Sequence, residues 1–285
     1  MTLILPRHRR TSVGARLRAG LSIGGRAAAR DAELDATERK IRALTAQALV
    51  IDFAADDLAG YADGAAVPAW PARRGGLTGV AFGTPTYADP DTDLAAPSVA
   101  YSASGDWHAA AAVDWSAYRT ATLVSVWISN ASSANGGIMS LHADLADYPS
   151  QSGGLEHLLG ASSGYWTALH RPDGAGDFWL ERDTAQDTGT PQVTISVHDT
   201  AASVSADEIR GYQNGTEITG STTGTSGAGA YWQSTLYPVI GGRGNNAFQG
   251  LDGRAVRSVW FPGTLTDGAI KALSAALGRR YGITA

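Results

Sequence analysis

Cysteine is absent from all 285 residues, which excludes disulfides and thiolate metal sites. No apolar run approaches the roughly 18 residues that a membrane-spanning helix needs. Charge is sparse, at 17% of residues, and this leaves little material for a long solvated helical bundle. Acids are missing from the first thirty positions, where arginines stand at 7, 9, 10, 16, 18, 26 and 30 before Asp31. That leaves fifteen of the 22 basic residues to face all 27 acidic ones, so a basic arm precedes an acidic body. Leu3, Ile4 and Leu5 come before the arginines, the reverse of the order in a secretory signal, although the acid-free composition resembles an organellar transit peptide. The expectation is a protein made in the cytoplasm without a signal peptide and not inserted in a membrane.

Glycine, by contrast, is abundant at 35 residues, which suits many short strands joined by tight turns. A chain of this size can bury about three-quarters of its unfolded surface, so one large domain needs no covalent staple. From Asp31 to Ile51 the pattern is helical. Asp31 is a candidate N-cap, acids at 33, 35 and 38 come first, and Arg39, Lys40 and Arg42 follow. Leu34, Thr37, Ile41, Leu44, Ala48 and Ile51 fall at steps of three and four. This spacing fits an amphipathic helix packed on its own domain or on a neighbouring subunit, and also a short self-associating seam.

Beyond Phe53 the signals are those of strands. Ala121–Asn130 is rich in β-branched and aromatic residues and predicts a central strand. Gln192–His198 alternates Val193, Ile195 and Val197 with Thr194 and Ser196, which predicts a half-buried strand. Asn214-Gly215 marks a hairpin. The Gly/Ser/Thr tract at 220–230 predicts a flexible loop, and Val256–Phe261 another strand. A terminal helix begins after Thr266 and is expected to stop at Gly278.

The order of several motifs in residues 50–285 resembles the concanavalin A-like lectin/glucanase superfamily, in its laminin-G-like form. The motifs are Ala96–Tyr101 followed by Gly105-Asp106-Trp107, the strand Thr122–Trp127, and the hairpin Arg210-Gly211-Tyr212-Gln213-Asn214-Gly215. Pro238–Gly242, Phe248-Gln249-Gly250 and Val256–Phe261 come next, and Leu265-Thr266-Asp267 through Tyr281-Gly282-Ile283 closes the run. The resemblance implies a mainly β fold, an antiparallel two-sheet jelly-roll sandwich over 52–285. An extended basic arm at 1–30 and a helix at 31–51 precede it, and a short C-terminal helix ends it. A basic arm, a helical stalk and a terminal jelly roll resemble the fibres and spikes of tailed phages and related particles.

The glucanase branch of that superfamily carries a Glu-x-Asp-x-x-Glu strand, which brings two carboxylates close enough for retaining hydrolysis. This string does not occur here; Asp177/Glu181/Asp183 and Asp207/Glu208 are the nearest clusters. The six histidines, at 8, 108, 142, 157, 170 and 198, show no paired spacing, and no Gly-x-Ser-x-Gly elbow exists. The expectation is therefore a protein that is not an enzyme. Asp89-Pro90-Asp91-Thr92-Asp93 alternates carboxylates but lacks the glycine and distal glutamate of an EF-hand, so it is either a polar turn or a rim calcium ligand set. No other cofactor is expected.

Aromatic side chains can stack on the apolar faces of sugars. Tyr165-Trp166 and Tyr231-Trp232 follow Gly/Ser-rich stretches, and Trp107 lies between Asp106 and His108. Alternation sends one ring of each pair inward, and Trp166 and Trp232 are taken as the leading platforms. Asn245 and Asn246 offer polar loop groups. Arg7, Arg9, Arg10, Arg16 and Arg18 are expected to anchor the arm on an acidic protein surface, since nucleic acid is a poorer partner for an acidic body. Together these readings predict a host-attachment protein on the surface of a phage-like particle. It is expected to be a homo-oligomer whose jelly roll binds cell-surface polysaccharide. The alternatives are a purely structural decoration or connector and a glycan-active hydrolase.

Overall fold

The computed structural model describes residues 35–284 apart from 90, 92, 95, 103–104, 131–135, 144, 146–153, 160–164, 172–177, 186–187, 225, 227–228 and 243–249. The basic arm with Arg7, Arg9, Arg10, Arg16 and Arg18, and the loop pair Asn245 and Asn246, lie outside the described residues.

Among the described residues helix α1 covers 35–44 and ends short of the expected position 51, and Ile51 opens the first strand instead. In chain order the strands are β1 (Ile51–Ala54), β2 (Ala69–Pro71), β3 (Thr78–Phe82), β4 (Thr86–Ala88), β5 (Ser98–Tyr101) and β6 (Trp107–Ala109). Next come β7 (Thr120–Ser129), β8 (Gly137–His142), β9 (Gly154–Leu159), β10 (Tyr165–Arg171), β11 (Phe178–Ala185) and β12 (Gln192–Asp199). The last are β13 (Ile209–Gln213), β14 (Thr216–Glu217), β15 (Gly220–Gly224), β16 (Tyr237–Ile240) and β17 (Gly253–Pro262), before helix α2 (Asp267–Tyr281).

Two antiparallel sheets result. The eight-stranded sheet runs β14-β13-β12-β7-β17-β5-β4, with β1 also paired to β17. The nine-stranded sheet runs β15-β11-β10-β9-β8-β16-β6-β3-β2. Strand β7 is central, as its composition predicts, and Asn214 (φ 48°) with Gly215 (φ 80°) turns β13 into β14. The 220–230 tract is not all loop. Its first five residues form β15 against β11, where a Cβ on Gly220 would lie 2.1 Å from the Glu181 carbonyl. Helix α2 runs past Gly278 to a left-handed cap at Gly282, because Gly278 sits on the buried face and leaves the helix uninterrupted.

The layers are helices, eight-stranded sheet and nine-stranded sheet. Trp127, Trp166, Trp232 and Trp260 fill the space between the sheets. Val124, Val126, Val193, Ile195 and Val197 form the other face of the eight-stranded sheet, packed with Ile41 of α1 and with Ile270, Leu273 and Leu277 of α2. Thus α1 lies on its own sandwich. No described helix is long and apolar enough to cross a membrane.

Candidate functional site

Helices cover one outer face of the sandwich; on the other, that of the nine-stranded sheet, the β3 end is exposed while Val239, Ser140, Glu156 and Leu169 at its centre are buried. One cross-strand row on it runs Val80–Ala109–Val239–Ser140–Glu156–Leu169, from β3 through β6, β16, β8 and β9 to β10. Two residues along lies a second row, Tyr237–His142–Gly154–Arg171. The face is thus apolar at its β3 end and polar at its centre.

At the β3 end Phe82 and Trp107 are cross-strand partners with parallel rings 3.8 Å apart, inclined by 2°. Trp107 is buried at 5% exposure, while Phe82 keeps 43% and Val80 keeps 57%. One face of the Phe82 ring is therefore fixed on Trp107 and the other is open. Asp106 stands beside the stack. Partial burial would raise its pKa, but bonds from the Ser102 hydroxyl and from the Thr84 and Ser102 N–H groups hold it below the usual carboxylate range.

At the centre His142 Nε2 lies 3.6 Å from Glu156 Oε1, and both side chains are buried. Ser140 Oγ donates to the Gly242 carbonyl. A buried charge-capable pair on an outward sheet face is the arrangement from which acid–base chemistry is built.

The rings chosen from sequence fall differently. Trp166 and Trp232 are 0% and 2% exposed and belong to the core between the sheets, so neither offers a surface to a ligand. Each is the inward member of its pair; Tyr165 is half-buried and Tyr231 is 47% exposed. The Arg119 guanidinium lies 4.2 Å from the Tyr231 ring centre and takes one of its faces. Trp107 acts as the base of a stack whose exposed ring, Phe82, sequence reasoning missed. The signal was present in part: Val80 and Phe82 alternate on a short strand, and the fold sets them directly across from Ala109 and Trp107.

The Asp89–Asp93 carboxylates already have a cation. Asp91 accepts from Arg254 Nη1 at 2.8 Å and from Ser98 Oγ at 2.5 Å, and Asp93 pairs with the second Arg254 nitrogen. Among the described residues no cluster of three or more His, Asp or Glu is placed to hold a metal. Of the acidic candidates, Glu181 is half-buried on β11 and Asp177 lies outside the described residues.

Between the sheets runs a second polar arrangement. Trp127 Nε1 donates to Thr194 Oγ1 (3.0 Å), which is 2.6 Å from Ser125 Oγ, itself 3.1 Å from His157 Nδ1. His157 Nε2 is 2.6 Å from Ser196 Oγ, which is 2.6 Å from His198 Nε2. The indole N–H only donates, so Thr194 accepts at that link; at every other link a hydroxyl can give or receive, and the His157 tautomer sets the order. Both ring nitrogens of His157 face hydroxyls that can accept or donate, so the ring is hydrogen-bonded whichever nitrogen carries the proton. Burial lowers His157 and His170 to about 3 and His198 well below its ordinary value. His170 Nε2 is 3.2 Å from Glu208 Oε2, whose other oxygen accepts from Ser226. These groups form a hydrogen-bonded interior with no open face for substrate.

No family model and no curated protein matches the chain. Among solved structures it is similar to domain 4 of AbnA, a GH43 extracellular arabinanase from Geobacillus stearothermophilus, in complex with arabinotriose. The TM-score is 0.54 at 12% identity, over 80% of this chain and 100% of that domain. It is also similar to Trypanosoma rangeli sialidase in complex with sialic acid, at TM-score 0.51 and 12% identity. That match covers 82% of this chain but 34% of the sialidase. At such identity the likeness shows the fold, a β-sandwich consistent with a concanavalin A-like jelly roll. The expectation that the chain is not an enzyme is overturned by these findings, since an arabinanase and a sialidase are both glycan-hydrolysing enzymes that contain this sandwich.

Proposed function

We propose that the chain recognises glycans on the outer face of its nine-stranded sheet, with Phe82 as the stacking platform. The observation that carries this reading is the Phe82–Trp107 stack. One flat ring is held in place by another and stays 43% exposed beside a carboxylate. A sugar ring that docks on a preordered aromatic loses no ring entropy and gains about 0.5–1.5 kcal/mol beyond area burial, by analogy with aromatic pairs. The bound arabinotriose and sialic acid in the two neighbours support a saccharide as the class of ligand. The test is a glycan array with the intact protein and its Phe82→Ala variant. Phe82→Ala is expected to weaken binding about tenfold, in line with that stacking energy, with an unchanged melting midpoint. Undiminished binding by the variant, or no bound glycan at all, would sink the reading.

Hydrolysis is a second reading, favoured by Glu156 beside His142 on the same face. Release of reducing ends from a bound polysaccharide, lost in Glu156→Gln, would establish it. Attachment to a phage-like particle belongs to the same proposal and rests on the arm's charges. If the arm anchors the protein, replacing Arg7, Arg9, Arg10, Arg16 and Arg18 by serine abolishes incorporation into the particle without altering the fold. A homo-oligomer would raise weak single-site affinity through effective concentration.

A further inference from the structure

At one end of the sandwich, where β12, β13 and β14 of one sheet diverge from β11 of the other, lies a slot of about 420 Å³. Its walls are polar: Arg182, Gln192, Gln213, Asn214, Thr216 and Glu217. The size falls within the range of small-molecule sites. Its orientation can be worked out from a single backbone group. Val193 N–H donates to Asn214 Oδ1 at 2.8 Å, which leaves the other end of that amide, Nδ2, as a fixed donor. Asn214 Nδ2 then donates to Gln192 Oε1 at 2.9 Å, and Gln213 Nε2 donates to the same oxygen at 2.5 Å. Gln192 is thereby locked with its carbonyl toward the hairpin. Among the described residues, no acceptor takes the two hydrogens of Gln192 Nε2, although the side chain is only 3% exposed.

Two donors held at the wall of a polar slot without a protein acceptor call for an acceptor from a ligand. The Glu217 carboxylate and the Thr216 hydroxyl line the same space and accept hydrogen bonds. Adjacent donors and acceptors match vicinal hydroxyls, each of which gives one hydrogen bond and receives another. One cation and one anion, Arg182 and Glu217, leave the lining without a net charge. We propose that this slot is a binding site for one neutral saccharide unit, distinct from the Phe82 face. It lies at the β12–β14 end of the molecule, whereas Phe82 lies on β3 at the far side of the other sheet. The proposal does not depend on the Phe82 reading.

The test uses the side-chain amide signals of the intact protein in a ¹⁵N correlation spectrum, with glucose, galactose and arabinose as separate probes. Gln192→Glu keeps the oxygen that accepts from Gln213 and Asn214 and removes the two donors, so it also assigns the Gln192 signals. At least one probe is expected to shift the Gln192 and Asn214 amide signals with a millimolar midpoint, and Gln192→Glu is expected to weaken that binding at least tenfold. The exposed Glu217→Gln, which cannot disturb the core, is expected to weaken it severalfold. The shifts are expected to persist in Phe82→Ala, which separates this site from the first. Amide signals that stay fixed up to about 100 mM of every probe, far beyond a millimolar midpoint, would overturn the proposal. So would shifts that vanish in Phe82→Ala.

Discussion

Trp166 and Phe82 are both aromatic residues on alternating strands, and the neighbour across the sandwich decides which one reaches solvent. Trp166 faces Gly211 on β13, where a Cβ would lie 2.8 Å from the indole, and it packs edge-on against His157 with ring centres 5.0 Å apart. Truncation there should cost about 3–5 kcal/mol, so Trp166→Ala is expected to lower the melting midpoint by roughly 10 °C. Phe82→Ala should leave the midpoint in place. Calorimetry on the pair checks this, and equal midpoints would put Trp166 on the surface. The glycine was a legible clue, since one inside a strand marks a close approach of another group. Which group approaches it is decided by the pairing of distant segments, which no local pattern records.

For the elements, alternation was legible but its direction was not. In β12 the apolar set Val193, Ile195 and Val197 faces the helices, and the polar set Thr194, Ser196 and His198 lies between the sheets. An alternating strand in a two-layer sandwich puts its polar face in water. Here a third, helical layer reverses the assignment, and the polar face is satisfied by Ser125 and His157 instead. The consequence is acid lability. Burial lowers His157 and His170 to about 3 and, despite the opposing bond to the Val67 carbonyl, His108 to about 4. The unfolded chain takes up protons at about pH 6.5 that the folded chain refuses, so stability is complete above that pH and falls below it. Each histidine contributes about 1.4 kcal/mol per pH unit, and the three together about 4. A domain of ordinary stability is therefore expected to unfold between about pH 5 and pH 3.5, read by circular dichroism. A fold intact at pH 3 would show that these rings are not held neutral.

For the whole molecule, composition placed a helix ahead of the sandwich but did not show that it belongs to it. The join is ionic. Arg257 of β17, fully buried, donates to both carboxylate oxygens of Asp52 at 2.9 and 2.8 Å, and to those of Glu38 on α1 at 2.8 and 3.1 Å. Arg73 also reaches Glu38 at 3.0 Å, and Arg74 holds Asp52. These partners are 219 and 35 positions away from Glu38 in the chain, beyond the reach of any periodicity. Burial alone would raise the Glu38 carboxyl, but the bonds and charges of Arg257 and Arg73 outweigh it and bring the carboxyl down to about 2. Its contribution is thus complete above about pH 4.5 and is lost toward pH 2, and amounts to about 2 kcal/mol once solvent screening is allowed for. A chain starting at residue 46 loses Glu38 and uncovers the apolar face that Ile41 protects, leaving Arg257 with Asp52 alone. Breaking a buried ionic cluster costs about 3–5 kcal/mol, and exposing the Ile41 contact adds about 1.5–3. The shortened chain is therefore expected to melt at least 10 °C lower. Arg257→Met combined with Glu38→Leu, which removes both charges, should recover most of the loss seen in Glu38→Leu alone, because no buried charge is then left unmatched. Equal midpoints for the full and shortened chains would mean that α1 is a separate stalk; a double variant no more stable than Glu38→Leu would mean that the ionic join is not what holds it.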